Sequence, residues 1–184
     1  MARESRTKYA VLGMLNQGPK CGYEIKKELE KSSMFFWNES YGQIYPMLKK
    51  LVANNLSTLE VIERDEQPDM KVYTITDDGR EELERWLRQP AEPHPIRNEM
   101  LLKLFFGAST SIDMNIAHVE RLKDRLQRQQ ENLDQEREEL IDEFGEDDQM
   151  VFFGLLTSGY GQVVNEALQK WCDETLEKLR DMRN

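Results

Sequence analysis

Ser40-Tyr41-Gly42-Gln43-Ile44-Tyr45-Pro46-Met47-Leu48-Lys49-Lys50-Leu51-Val52 is the stretch that decides the fold. Ile44, Met47 or Leu48, Leu51 and Val52 recur at helical spacing and give one apolar face. Ser40 and Gln43 have the serine-x-x-glutamine spacing of a capping box, in which the serine oxygen takes a first-turn N–H and the glutamine reaches back. Pro46 sits near the start, where a missing N–H is best tolerated, although it can kink the second turn. Asn54-Asn55 closes the helix. A helix that enters the major groove needs short polar residues at its N-terminus to approach base edges, and cations beside them for phosphates. Ser40, Tyr41, Gly42 and Gln43 supply the first, and Lys49 and Lys50 the second.

Working outward from this helix, the same logic orders the neighbours. Ser5–Asn16 carries apolar residues at helical spacing and stops at Gly18-Pro19. A second helix follows from Gly22 to about Lys31, with Tyr23, Ile25 and Leu29 available to the core and Ser32-Ser33 as its break. Met34-Phe35-Phe36-Trp37 reads as a short extended apolar run. On the other side, Leu59–Arg64 and Lys71–Ile75 read as two strands joined through the polar turn 65–69. Thr76 or Asp77 then caps a helix that carries Leu83, Trp86 and Leu87. Helix, helix, helix, hairpin, helix within the first 90 residues is the order of a winged helix-turn-helix.

The three prolines between Gln89 and Ile96 cannot lie inside a helix and read as a stiff linker. The expected organisation is a winged helix-turn-helix at 1–89, a proline-rich linker at 90–97 and a helical domain at 98–184. A short apolar helix, Asn98–Phe106, opens this last part. In the long charged helix at about Asp113–Glu143, Val119, Leu126, Leu133 and Leu140 recur every seven residues. The companion positions read Ile116, Lys123, Gln130, Arg137 and Phe144, so the seam is apolar at its ends and polar in the middle. The last helix, Met150–Met182, carries Leu156, Val163, Leu168, Trp171 and Leu176. The fold class is mainly α with a small β-hairpin wing, an α+β arrangement whose second part is an antiparallel, coiled-coil-like dimerisation domain. Leu104, Val119, Leu126, Leu133, Leu140, Val163, Leu168, Trp171 and Leu176 are its expected dimerisation residues.

Charge is divided between the ends. The chain of 184 residues has a net charge of −10, with 33% charged and 39% hydrophobic residues. Residues 1–55 nevertheless carry nine Lys/Arg against five Asp/Glu, a balance of +4, while residues 90–184 carry 11 against 20. Global charge is then a poor guide to nucleic-acid binding. The two cysteines, Cys21 and Cys172, suit a reduced compartment rather than a disulfide framework. No apolar run reaches membrane-spanning length and no signal-peptide pattern opens the chain, so a cytoplasmic location without membrane association is expected.

Little points to catalysis. His94 and His118 have no companion at metal-ligand spacing, and no nucleophile elbow, zinc-protease or phosphate-loop pattern is present. No catalytic residue, metal or cofactor is expected. For DNA, Gln43 can pair bidentately with adenine N6 and N7, or spend the same amide on the cap. Tyr23, Tyr41 and Tyr45 can give hydroxyls to phosphates or simply pack. Lys8 sits in the basic first helix, and Arg64 and Lys71 flank the hairpin, where a wing meets the backbone.

Three segments together resemble the PadR family of transcription regulators. Leu12-Gly13-Met14-Leu15 with Gly22-Tyr23-Glu24-Ile25 resembles that family's opening helices, and Gly42–Leu51 its recognition helix, with Ile44-Tyr45-Pro46-Met47-Leu48 as its core. Lys71–Gly79 resembles its second wing strand and the start of the next helix. Gln89-Pro90, Arg97-Asn98-Glu99, Leu102-Lys103-Leu104 and Trp171 with Glu174 and Leu176 resemble the longer subgroup that includes AphA-type activators. The resemblance implies a homodimer clasped by C-terminal helices. It implies sequence-specific binding to a palindromic double-stranded DNA operator, and in most members repression relieved by a small molecule. The family holds activators too, so the sign stays open here. Phe36, Trp37 and Trp171 are the candidates for binding a small aromatic effector. A winged-helix protein-interaction module without direct DNA binding is the alternative.

Overall fold

The computed structural model describes residues 6–33, 37–64, 68–92, 97–145 and 148–183. The chain divides into two compact units, Met1–Pro93 and His94–Asn184. Half of the proline-rich linker, residues 93–96, and residues 65–67 of the wing turn lie outside the described residues.

In the first unit the order is α1 (Arg6–Asn16), β1 (Lys20–Cys21), α2 (Gly22–Ser33), α3 (Tyr41–Ala53), β2 (Ser57–Ile62), β3 (Met70–Ile75) and α4 (Asp77–Leu87). Leu12 and Leu15 of α1, Ile25 and Leu29 of α2, Ile44, Leu48 and Leu51 of α3, Tyr73 and Ile75 of β3, and Leu83 of α4 form one core. The three strands form an antiparallel sheet in the order β1-β3-β2, with Ser57 opposite Ile75, Leu59 opposite Tyr73 and Lys20 opposite Tyr73 on the other edge. The two-residue β1 escapes sequence reading because it is too short to show alternation.

Three expectations change here. Helix α2 runs through Ser32-Ser33, since serine disfavours a helix only mildly and neither glycine nor proline intervenes. Tyr23 is 57% exposed rather than in the core. It lies two residues, about 200° of helix, from Ile25, which holds the inward position. Leu87, at the last turn of α4, is likewise exposed.

The junction between α3 and the wing is tightly tied. Asn55 adopts a left-handed φ of 57°. The Thr76 hydroxyl donates to the Asn55 carbonyl (2.7 Å) and accepts from the Gly79 N–H (3.1 Å), capping α4. A β-carbon at Gly79 would lie 2.1 Å from the Leu56 carbonyl oxygen, so only glycine fits.

In the second unit, α5 (Glu99–Phe105) is followed by a 3₁₀ turn (Gly107–Ser109), α6 (Ile112–Phe144) and α7 (Gln149–Arg183). Asn98 and Ser111 cap α5 and α6, their side chains accepting from Leu101 N–H and Met114 N–H, each at 3.2 Å. Helices α6 and α7 run antiparallel, with Lys123 on Asp173 (2.5 Å), Glu120 on Arg180 (2.9 Å) and Asp134 on Gln162 (2.8 Å). Ile116, Val119, Leu122, Leu126, Cys172 and Leu176 form the core between them. The polar middle of the seam is filled by Asn165, which is buried and donates to the Leu126 carbonyl (3.0 Å).

This pairing corrects part of the dimerisation reading. Val119, Leu126, Leu133 and Leu176 are buried within their own unit, spent on the α6–α7 contact. A seven-residue leucine repeat reports that a helix has a partner, but not whether the partner is in the same chain.

Candidate nucleic-acid interface

The apolar face of α3 is buried and its opposite face is open. Tyr41, Tyr45 and Lys49, each four residues after the last, form one exposed strip, with Gly42, Pro46 and Lys50 beside it. Lys49 and Lys50 make no ion pair among the described residues. Pro46 lies in the second turn, and without an N–H it leaves the Gly42 carbonyl without its helical partner. At the helix start, Gln43 Oε1 accepts from both the Ser40 backbone N–H (2.9 Å) and the Ser40 hydroxyl (2.8 Å).

The tyrosines form a group. The rings of Tyr41 and Tyr45 lie 6.0 Å apart at an interplanar angle of 22°. Tyr45 also covers the start of α2: a β-carbon at Gly22 would sit 2.5 Å from Tyr45 Cε1. Glycine at 22 thus sets how the Tyr45 ring lies. Desolvation, with Glu30, Tyr23 and Tyr45 nearby, pushes the Tyr41 phenol above its ordinary pKa. It therefore keeps its proton and can donate to an anionic oxygen. Tyr23 is exposed on α2, and Lys27 follows one turn later, exposed and without an ion pair among the described residues. Sequence reading gave Lys27 no role and took Gly22 only as the start of α2 and part of a family-like segment. The i,i+4 spacing from Tyr23 was available for Lys27, whereas Gly22 is explained only by the close approach of a residue 23 positions later.

Behind this face, Lys26 is buried and bonded to Glu30 (2.7 Å) and Asn38 Oδ1 (3.2 Å), tying α2 to the segment that leads into α3. On the wing, Arg64 is exposed beyond β2 with its guanidinium against the Met70 sulfur, and Lys71 is exposed in β3. Lys8 is not a free cation. Its ammonium donates to Glu82 at 2.5 Å and is only 18% exposed, so it joins α1 to α4. Its expected phosphate contact is withdrawn for that reason.

Of the effector candidates, Phe36 lies outside the described residues. Trp37 is half-buried, with its indole N–H donating to Glu39 (2.9 Å). Trp171 belongs to the other unit, where it is half-buried against the α6–α7 core. Among the dimerisation candidates, Leu104 and Leu140 are half-buried, while Val163 and Leu168 are exposed.

The first part of helix α7 is inside out. Apart from Val151, its inward face there holds small residues, among them Gly154, Ser158 and Gly161, and a β-carbon at Gly154 would meet Leu140 at 2.8 Å. Its outward face holds Phe152, Phe153, Leu156, Tyr160 and Val163, all more than half exposed. No residue of α5 is buried, and Phe105 is 81% exposed. Among the described residues no cluster of His, Cys, Asp or Glu could hold a metal, and no helix is long and apolar enough to cross a membrane.

Residues 11–85 match the model of the transcriptional regulator PadR-like family, and residues 96–180 match that of the virulence activator alpha C-terminal region. The negative transcriptional regulator PadR of Bacillus subtilis is 35% identical over 127 residues, which span 68% of each chain. The solved structure of Bacillus subtilis PadR with operator DNA is 26% identical and superposes with a TM-score of 0.79 over 95% of this chain and 99% of that one. The same protein with p-coumaric acid gives 0.74 at 26% identity, over 96% and 99%. The Vibrio cholerae virulence activator AphA gives 0.73 at 26% identity, over 96% and 99%.

Proposed function

Since the chain belongs to the PadR-like family of transcriptional regulators, DNA-binding regulators rather than enzymes, we propose that it acts as a homodimeric repressor on a palindromic operator and is released by a small aromatic effector. The observation that carries the DNA side is the exposed Tyr41–Tyr45–Lys49 strip with Lys50, on a helix whose other face is buried in the core. In this reading α3 is the recognition helix. Lys49 and Lys50 neutralise phosphates. Tyr23, Tyr41, Tyr45 and Lys27 give hydrogen bonds to the same backbone, and Arg64 and Lys71 let the wing follow the neighbouring groove.

The outward face of α7 supports the homodimer. Monomeric proteins rarely leave a contiguous apolar patch of more than a few hundred Å² to water, and Phe152, Phe153, Leu156, Tyr160 and Val163 would make one. A second copy covers it at least cost, because a two-fold axis brings the same patch to itself. Two recognition helices would then stand about 34 Å apart, or a multiple of it, on a palindromic site. Repression and an effector related to p-coumaric acid rest on the similarity to Bacillus subtilis PadR. Trp37 and Trp171 remain the aromatic candidates in this chain.

The test is a fluorescence-anisotropy titration of the full chain with duplex DNA from its own upstream region, followed by footprinting and by addition of p-coumaric acid. A symmetric footprint that p-coumaric acid dissolves supports the reading. A footprint without symmetry removes the dimeric operator, and one that phenolic acids leave intact removes the effector class.

A further inference from the structure

We propose that Gln43 reads the major groove only as a hydrogen-bond donor, and so favours guanine over adenine at the base it meets. This rests on the DNA-binding reading above.

A glutamine amide has one acceptor oxygen and two N–H donors. Which end faces Ser40 is settled by chemistry, because a backbone N–H can only donate. The atom 2.9 Å from Ser40 N is therefore Oε1. The Ser40 hydroxyl donates to the same oxygen at 2.8 Å, so both of its lone pairs are engaged. The Nε2 end has no hydrogen-bond partner among the described residues, on an exposed side chain in the first turn of α3.

The bidentate glutamine–adenine pair needs the amide oxygen to accept from adenine N6 while the nitrogen donates to N7. Here the oxygen is held by the cap. Freeing it would strand the Ser40 N–H at a helix start that already has unsatisfied donors. What remains is a pure donor. Guanine offers it two adjacent acceptors, N7 and O6. Adenine offers N7 alone, beside an amino group whose hydrogens meet those of the amide. The cap thereby reverses the usual base preference of glutamine.

The experiment selects duplexes from a random library with the full chain and with Gln43→Glu. Glutamate still gives the cap its oxygen, since the box accepts either residue, but it has no N–H to donate. At one position the wild type should favour guanine over adenine by about fivefold or more. The variant should lose that preference while keeping its thermal midpoint and its preferences elsewhere. Replacing that guanine by 7-deazaguanine should weaken the wild type several-fold, which holds the test if the variant fails to fold. Adenine preferred over guanine at the position that Gln43→Glu alters overturns the inference alone, as does a variant with unchanged preferences. No salt-dependent binding of any duplex overturns the DNA-binding reading itself.

Discussion

Glu82 accepts from Lys8 (2.5 Å), from the Tyr9 hydroxyl (3.2 Å) and from Arg85 (2.7 Å), and its side chain is 15% exposed. The hydrogen bond from Lys8 comes first among the causes that hold its carboxyl below the ordinary value of 4.5. A carboxyl whose folded pKa is depressed contributes stability that is fully present above its unfolded pKa. That contribution is lost as pH falls from about 4.5 through the lower folded value. Urea denaturation at pH 7 and pH 4 should thus show Glu82→Gln less stable than the wild type by roughly 1 kcal/mol at pH 7, with the gap shrinking at pH 4. An equal gap at both pH values would contradict this. Lys8 was legible in the sequence as a cation near the expected interface. Its partner was not, because Glu82 stands 74 residues away and no local spacing links them. Gln43 is the opposite case. Its cap was readable three residues from Ser40, and only which end of the amide the cap occupies needed coordinates.

Helices whose own ends and faces are written in local sequence came out close to expectation. The apolar face of α3, the Thr76 cap of α4 and the Asn54-Asn55 stop of α3 are examples. Contacts between elements were less accessible. Gly79 looks like an ordinary first-turn residue, yet it lies against the Leu56 carbonyl across the wing junction. Gly79→Ala should lower stability by about 1–3 kcal/mol, read as a drop in Tm, because neither backbone can yield cheaply. An unchanged Tm would mean that this junction relaxes. The buried leucines and Val119 were assigned to the dimer face for a related reason, whereas Val163 and Leu168 do stand exposed. Heptad leucines and outward aromatics are both apolar stripes, and it is the small inward residues Gly154, Ser158 and Gly161 that let α6 take the inner side of α7. Leu156→Glu, on the outward face, should dissociate the dimer in ultracentrifugation and keep helical circular dichroism. Val119→Ala, fully buried, should instead cost about 1–3 kcal/mol of stability and leave the dimer assembled. The reverse pattern would return the dimer surface to the α6 heptads.

At the scale of the whole molecule, a net charge of −10 conceals a basic N-terminal segment and an acidic C-terminal half. The two units divide the labour: the proposed DNA face lies within residues 1–93, and the proposed clasp that doubles it within 94–184. A fragment ending at Gln89 should bind operator DNA much more weakly than the full chain, since one recognition helix replaces two linked ones. Equal binding by a monomeric fragment would refute the need for the clasp. The most direct measurement is the dependence of operator affinity on salt. In the wild type, log K against log salt should fall steeply. Lys49→Ala and Lys50→Ala should each flatten it by roughly 0.9 per contact per subunit. Lys8→Ala, whose ammonium is held by Glu82, should leave the slope as it was. Slopes that stay unchanged in both Lys49→Ala and Lys50→Ala would contradict the assignment of α3 as the helix that meets DNA.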